Sequence, residues 1–260
     1  MAACLLAASP LLTSYAGVAA AIGSLMLGAI GLPQIVLNFR LKEKGIHDLA
    51  ISSFLIWFSA ACLLSAVSIG QALLAGAVLH DMSTPIFWWN FVNLLGVAQS
   101  AIVVAQILYY RRDASDLKKT ALTAALTALL LVPMAAQAFL SLTAWLNLVF
   151  AGAVALLWVL NYPQISQSYH SWNTERHIPE GISPLSKLLV LVGSLLHFYA
   201  AVVGLDIRWM MNGIVSTLGS AIVLAQIYAP QASNDLLGPL ILGIEGSVMR
   251  PKKKLAAVAK

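Results

Sequence analysis

Charge is what this chain has least of. Only 10% of its 260 residues are charged and 60% are hydrophobic, against roughly 25% charged in an ordinary soluble domain. There are two cysteines, Cys4 and Cys62, far apart and in apolar surroundings, which excludes a disulfide framework or a cysteine zinc site. The first residues lack the positive start of a secretory signal. No Asp or Glu falls inside a long apolar run; Asp48, Glu180 and Asp206 sit at run ends or in connectors. His80 with Asp81, and His170 with His177, lie in polar connectors. No nucleophile with its base, paired carboxylates or metal ligands stand at usable spacing. No catalytic residue, metal or cofactor is expected, and the chain does not read as an enzyme.

What is present is apolar length. Runs near the ~20 residues needed to cross a bilayer recur along nearly the whole sequence. An all-α polytopic membrane protein follows, since a span in hydrocarbon must satisfy its backbone internally and these runs are too long for barrel strands. Seven spans are expected, at 14–38, 49–76, 86–110, 120–141, 145–169, 184–204 and 209–228. Residues 1–13 form a short exposed start and 229–260 a basic tail in which "LLGPLILGI" is too short to span. The tail reads as disordered, with a lesser expectation that it touches anionic lipid.

Every Lys and Arg except Arg208 falls on one face: Arg40, Lys42, Lys44, Arg111, Arg112, Lys118, Lys119, Arg176 and Lys187 in or beside three connectors, and the remainder in the tail. The positive-inside bias puts that face in the cytosol, and the amino terminus outside or in a lumen. The net charge of +5 is then a topological signal, and nucleic acid is not an expected partner. Trp88, Trp89 and Trp209 begin their spans at the opposite face, as an interfacial belt would.

The chain repeats itself. "LPQI" at 32–35 meets "YPQI" at 162–165, "GIHDLAIS" at 45–52 faces "HIPEGIS" at 177–183, and "SAIVVAQI" at 100–107 matches "SAIVLAQI" at 220–227. The spacing between copies is 130 at Pro33 and Pro163, 131 at Ser52 and Ser183, and 120 at Ser100 and Ser220. The first copy therefore holds an insertion of about 11 residues around "LAGAVLHDMSTPI". Two three-span units, 14–110 and 145–228, flank a linker span at 120–141. An odd linker leaves the units parallel, related by an axis along the membrane normal.

Paired Pro-Gln motifs in a 3+1+3 plan resemble the PQ-loop family. That family includes the SWEET sugar transporters, cystinosin-like amino-acid exporters, the KDEL receptors and a dolichol-sugar utilisation factor. The resemblance covers about 14–228. It implies that Pro33 and Pro163 are hinges. On physical grounds a proline within a helix removes one hydrogen bond and kinks it; Gln34 and Gln164 are the expected partners of the carbonyls so freed. A static kink is the plainer alternative.

Polar groups inside the spans are the candidate solute ligands. Asn93 and Asn212 nearly coincide in the repeat alignment, and the SWEET resemblance implies a pair of asparagines gripping the sugar. Asn90, Ser194 and His197 join them as candidates; interhelical hydrogen bonding is the competing role for each. Ser59, Cys62 and Ser65 read as packing. Phe198 occupies a position where SWEET transporters place an aromatic, and no tryptophan does so. The expected function is uncoupled carriage of a small polar, uncharged solute such as a sugar, by rocking of the two units. The alternatives are a proton-coupled exporter of the cystinosin-like kind, a sorting receptor, or a lipid-linked-sugar factor. The expected partners are that solute and the bilayer of a plasma or organelle membrane, with self-association left open.

Single cysteines replacing Glu43 or Lys118, in protein with Cys4 and Cys62 changed to Ala, test the orientation. In sealed right-side-out vesicles an impermeant maleimide is expected to label them only after permeabilisation. Labelling of intact vesicles would reverse the assignment.

Overall fold

The computed structural model describes residues 10–74, 85–135, 141–176, 178, 180–203 and 207–258. Every regular element among them is a helix: α1 Pro10–Gly28, α2 Gly31–Leu41, α3 Glu43–His47, α4 Ile51–Leu74, α5 Pro85–Arg111, α6 Ala114–Ala135, α7 Leu142–Val159, α8 Tyr162–Glu175, α9 Pro184–Val203, α10 Ile207–Tyr228 and α11 Pro230–Val258. Six stretches of the described residues are long and apolar enough to cross a bilayer, with α1 and α2 counting as one and α7 and α8 as another. The chain is a multi-pass membrane protein. The expected span at 120–141 is not among the six. Its helix, α6, starts earlier, carries Asp116, Lys118 and Lys119 near its beginning, and runs into residues 136–140, which lie outside those described. The insertion with His80 and Asp81, and the side chains of Trp88, Trp89, Asp206, Arg208, Trp209 and His177, also lie outside.

The spans close into a ring. The α1–α2 segment packs on α5, α5 on α4, α4 on α7, α7–α8 on α10, α10 on α9, and α9 back on α1, while α6 lies mainly against α4. Burial supplies no driving force between helices in lipid, so close packing and hydrogen bonds must hold such a ring. The α1–α9 seam shows the first: a Cβ on Gly23 would stand 2.7 Å from the His197 ring, and one on Gly193 3.0 Å from Leu27. Ser59 shows the second, its hydroxyl meeting Thr127 of α6 at 2.8 Å.

Two of the six spans are kinked where the helical hydrogen bonding is interrupted, while Ile30, Leu160 and Asn161 keep right-handed helical dihedrals. Between α1 and α2 the backbone turns at residues 29–30, and between α7 and α8 at 160–161. Pro33 stands three residues after the first turn and Pro163 two after the second, where their rings exclude the carbonyl four back. In the first copy the Ala29 carbonyl accepts from Leu32 N–H at 3.1 Å, and the groups left open at the kink, Gly31 N–H and the Gly28 carbonyl, do not go to Gln34. Gln99 of α5 takes them, accepting from Gly31 N–H at 2.6 Å and donating to the Gly28 carbonyl at 2.6 Å. A side chain on Gly31 would collide with this amide. The second copy has the same two positions with the residue types exchanged, and there the Asn161 side chain makes no cap bond to the backbone. Asn161 occupies the turn, and Gly219 of α10 lies beneath it, so that a Cβ there would overlap the Asn161 amide. By the repeat spacing Gly31 corresponds to Asn161 and Gln99 to Gly219. The amide and the glycine have changed sides.

Gln34 and Gln164 instead reach across the ring, at the end where Arg111 and Arg176 lie (the basic end). Gln34 donates to the Gly181 carbonyl at 2.7 Å and accepts from Ser183 N–H at 2.9 Å. Gln164 donates to the Asp48 carbonyl at 2.9 Å and accepts from Ala50 N–H at 3.0 Å. Each amide thus brackets a carbonyl and the N–H two residues on, in the connector of the opposite copy. These contacts, with the helix starts at Ile51 and Pro184, pair 48–50 with 181–183. The sequence match at 45–52 and 177–183 is therefore two residues out of structural register. The connectors cross at Gly45 and Gly181, where a Cβ on Gly181 would run into the Gly45 carbonyl.

The repeated "AQI" has a place here too. Gln106 donates to the Ile35 carbonyl at 3.2 Å and Gln226 to the Ile165 carbonyl at 3.0 Å. Arg111 ties the first connector further, through the Ile46 and Leu49 carbonyls and an ion pair with Asp116 at 2.8 Å. An apolar cluster from both copies fills the space between, including Ile46, Leu49, Ile107, Ile182 and Val223.

The tail is ordered helix where disorder is expected. Ile241 of α11 is buried, Asn234 accepts from Gln226 at 3.0 Å, and Glu245 accepts from Ser166 at 2.6 Å and meets His170 at 3.0 Å. The Ser166 hydroxyl, then His170, hold the Glu245 carboxyl below the usual carboxylate range. A segment too short to span is long enough to coat α8 and α10.

The exchanged pair is open to a double-mutant cycle. Gly31→Asn alone is expected to clash, and Gln99→Gly alone to orphan two backbone groups, at about 2 kcal/mol or more. The double variant, carrying the second copy's arrangement, is expected to recover part of that loss in thermal unfolding in detergent. Strictly additive losses would show that the two positions do not act as a unit.

Candidate functional site

The ring encloses a cavity at the level of the two breaks. Its main chamber, about 140 Å³, is walled by apolar residues interrupted by Ser24, Trp57, Asn93, Ser194, His197, Asn212 and Ser216. A second chamber of about 70 Å³ lies toward the basic end. The two share Ile30, Trp57, Leu160, Val190 and Ser216, so they adjoin along these residues. Ile30 and Leu160 are residues of the breaks themselves. Irregular backbone at membrane depth is tolerated where it lines such a cavity.

Four of the five expected ligands meet in the main chamber: Asn93 from α5, Ser194 and His197 from α9, and Asn212 from α10. His197 Nε2 is hydrogen-bonded to Ser24 of α1 at 3.2 Å. Asn93 Nδ2 and Asn212 Oδ1 are buried without a hydrogen-bond partner. Buried amides left open in this way cost free energy, and they stand ready for a ligand that both donates and accepts. Asn90 does not belong to this group. Its Oδ1 accepts from Ser68 of α4 at 2.5 Å, an interhelical tie, and it is not on the cavity wall. Phe198 does not supply the aromatic wall either. It faces α10, where a Cβ on Gly213 would approach it to 2.8 Å.

Trp57 of α4 supplies that wall, and sequence reasoning passed over it. It is one aromatic among many in an apolar run, with no local mark of its direction. Lys187 is the other omission. Grouped with the cytosolic connectors because it follows one, it lies in the first turn of α9 and lines the second chamber, donating to Asn161 Oδ1 at 3.1 Å. Gln34 and Gln164 line this chamber as well, along with Ser53 and Ser186. Asp48 is buried and accepts from Gly181 N–H at 3.1 Å. Among the described residues no Asp or Glu lines either chamber.

Comparison with protein-family models gives no match, and comparison with curated proteins gives none.

The asparagines are separable by stability. Asn93→Ala and Asn212→Ala remove groups with unpartnered atoms and are expected to leave thermal unfolding of the empty protein unchanged or slightly raised. Asn90→Ala breaks a buried bond and is expected to cost about 1 kcal/mol. Equal destabilisation by all three would show that Asn93 and Asn212 are structural ties as well.

Proposed function

We propose that this chain carries a small polar, hydroxyl-bearing solute such as a sugar across its membrane by facilitated alternating access, as a member of the PQ-loop family. The observation that carries the reading is an apolar-walled cavity bearing a few polar side chains, placed where two membrane spans are interrupted, between two sets of helices joined at the basic end by paired glutamines. In this reading α1–α2, α4 and α5 form one unit, α7–α8, α9 and α10 the second, and α6 is a seventh, linking span. The basic end is cytosolic.

The cavity suits the task. Amides with open donor and acceptor atoms match hydroxyl groups, and Trp57 offers a flat apolar face to a sugar ring. Transport requires the cytosolic seal to open. The glutamine brackets and the apolar cluster beneath them separate as the inner halves, α2 and α8, swing about the breaks at 29–30 and 160–161. Pro33 and Pro163 keep those breaks from closing into continuous helix. Gln99 holds the first turn's backbone as the halves move. The absence of a carboxylate on the described walls favours uncoupled carriage. A cavity of this size is a poor match for the peptide of a sorting receptor.

Uptake of radiolabelled sugars into proteoliposomes, with and without a pH gradient, tests the proposal. Solute uptake that needs no gradient is expected. Pro33→Ala and Pro163→Ala are expected to slow turnover several-fold while equilibrium binding persists. Lost binding at unchanged turnover would contradict the hinge, and no uptake of any small polar solute would contradict the carrier.

A further inference from the structure

The second chamber has a chemical character of its own, set by donors. Lys187 stands on its wall with one hydrogen bond, to the neutral amide of Asn161. No carboxylate among the described residues lies within ion-pair distance of its ammonium; the ion pairs present engage Arg111, Lys119 and His170. Ser53 and Ser186 line the same chamber, are more than nine-tenths buried, and have hydroxyls without a partner.

The local helix sharpens this. Lys187 sits in the first turn of α9, the positive end of the helix dipole, where an acidic side chain, not a basic one, is stabilising. That turn contains no acidic residue. Helix end, ammonium and two open hydroxyls therefore superpose positive potential and donors on one small space. A partly buried ammonium lacking a counter-charge carries a desolvation cost, and it is rare in a membrane span without a pathway role. The missing element is an anion bearing acceptor oxygens.

We propose that this chamber binds a carboxylate of the transported solute, with Lys187 as its cation and Ser53 and Ser186 as donors. The solute is then a small hydroxy-acid or sugar-acid anion, its hydroxyl-bearing part in the main chamber against Asn93, Asn212 and Trp57. The inference rests on the reading of the cavity as the solute site and narrows the class of solute. The two chambers adjoin along Ile30, Trp57, Leu160, Val190 and Ser216, and the solute in this proposal reaches past these residues to occupy both. Asn161 connects this recognition to the hinge, since it accepts from Lys187 with Oδ1 while its amide packs on Gly219 at the second break.

Calorimetric titration of the full-length protein in lipid nanodiscs, with solutes matched except for the carboxylate, provides the test. The pairs are D-glucuronate with D-glucose, and L-lactate with 1,2-propanediol. In at least one pair the acid is expected to bind tenfold or more tighter than its neutral partner. Lys187→Met is expected to abolish that preference and Lys187→Arg to keep it. A neutral member binding as tightly as its acid in both pairs overturns the proposal, and the unsubstituted protein alone suffices to show it. So does a preference that survives in Lys187→Met. In both cases binding of the neutral solute leaves the cavity reading standing. Binding of no member of either pair overturns the cavity reading along with the proposal.

Discussion

A helix that breaks inside a bilayer must find partners for the backbone groups it releases, because the hydrocarbon offers none. Most features of this molecule follow from having two such breaks facing each other. At 29–30 the freed N–H and carbonyl are taken by one glutamine from the neighbouring α5. At 160–161 an asparagine in the turn itself sits over a glycine of α10. The two copies reach one geometry with opposite assignments of bulk, and so the constraint is geometric: one amide fits between turn and neighbour, and the facing residue must be glycine.

With Gln99 serving the first break, the glutamines after both prolines are engaged elsewhere. Each crosses to the other copy's connector and ties a carbonyl and an N–H there. The result is a reciprocal clasp at the basic end of the ring. Neutral hydrogen bonds of this kind contribute about 1 kcal/mol apiece, enough to favour one arrangement and few enough to be exchanged for another. A clasp of weak bonds over an apolar plug, beneath a cavity walled by two breaks, has the parts of a gate. The turn at 160–161 carries Asn161, whose oxygen accepts from the cavity lysine.

Much of this was legible in the sequence where polarity interrupts an apolar run. Asn93, Ser194, His197 and Asn212 stand out for that reason, and the structure gathers them on one wall. Asn90 stands out equally but is spent on Ser68, a distinction that only the direction of a side chain decides. The roles of Gln99 and Gly31 lie 68 residues apart, and no local pattern joins them. Lys187 follows a charged connector and so resembles a topological charge, while the start of α9 at Pro184 turns it inward. The two-residue error between the connectors has a similar cause: identical letters align, but the helix starts and the glutamine brackets set the register. In the tail, "LLGPLILGI" fails as a span yet covers the flank of α8, because coating a neighbour needs only one apolar face.

For solute to pass by this route, the clasp must open. His47 and Gln167, on opposite copies and joined by a 3.0 Å hydrogen bond at the basic end, are suitable points to lock it. Uptake into proteoliposomes by the His47→Cys, Gln167→Cys protein, with Cys4 and Cys62 removed, should be measured before and after bridging with a short cleavable thiol crosslinker. Uptake that disappears on bridging and returns on cleavage is the predicted result. Undiminished uptake by fully bridged protein would contradict the gate.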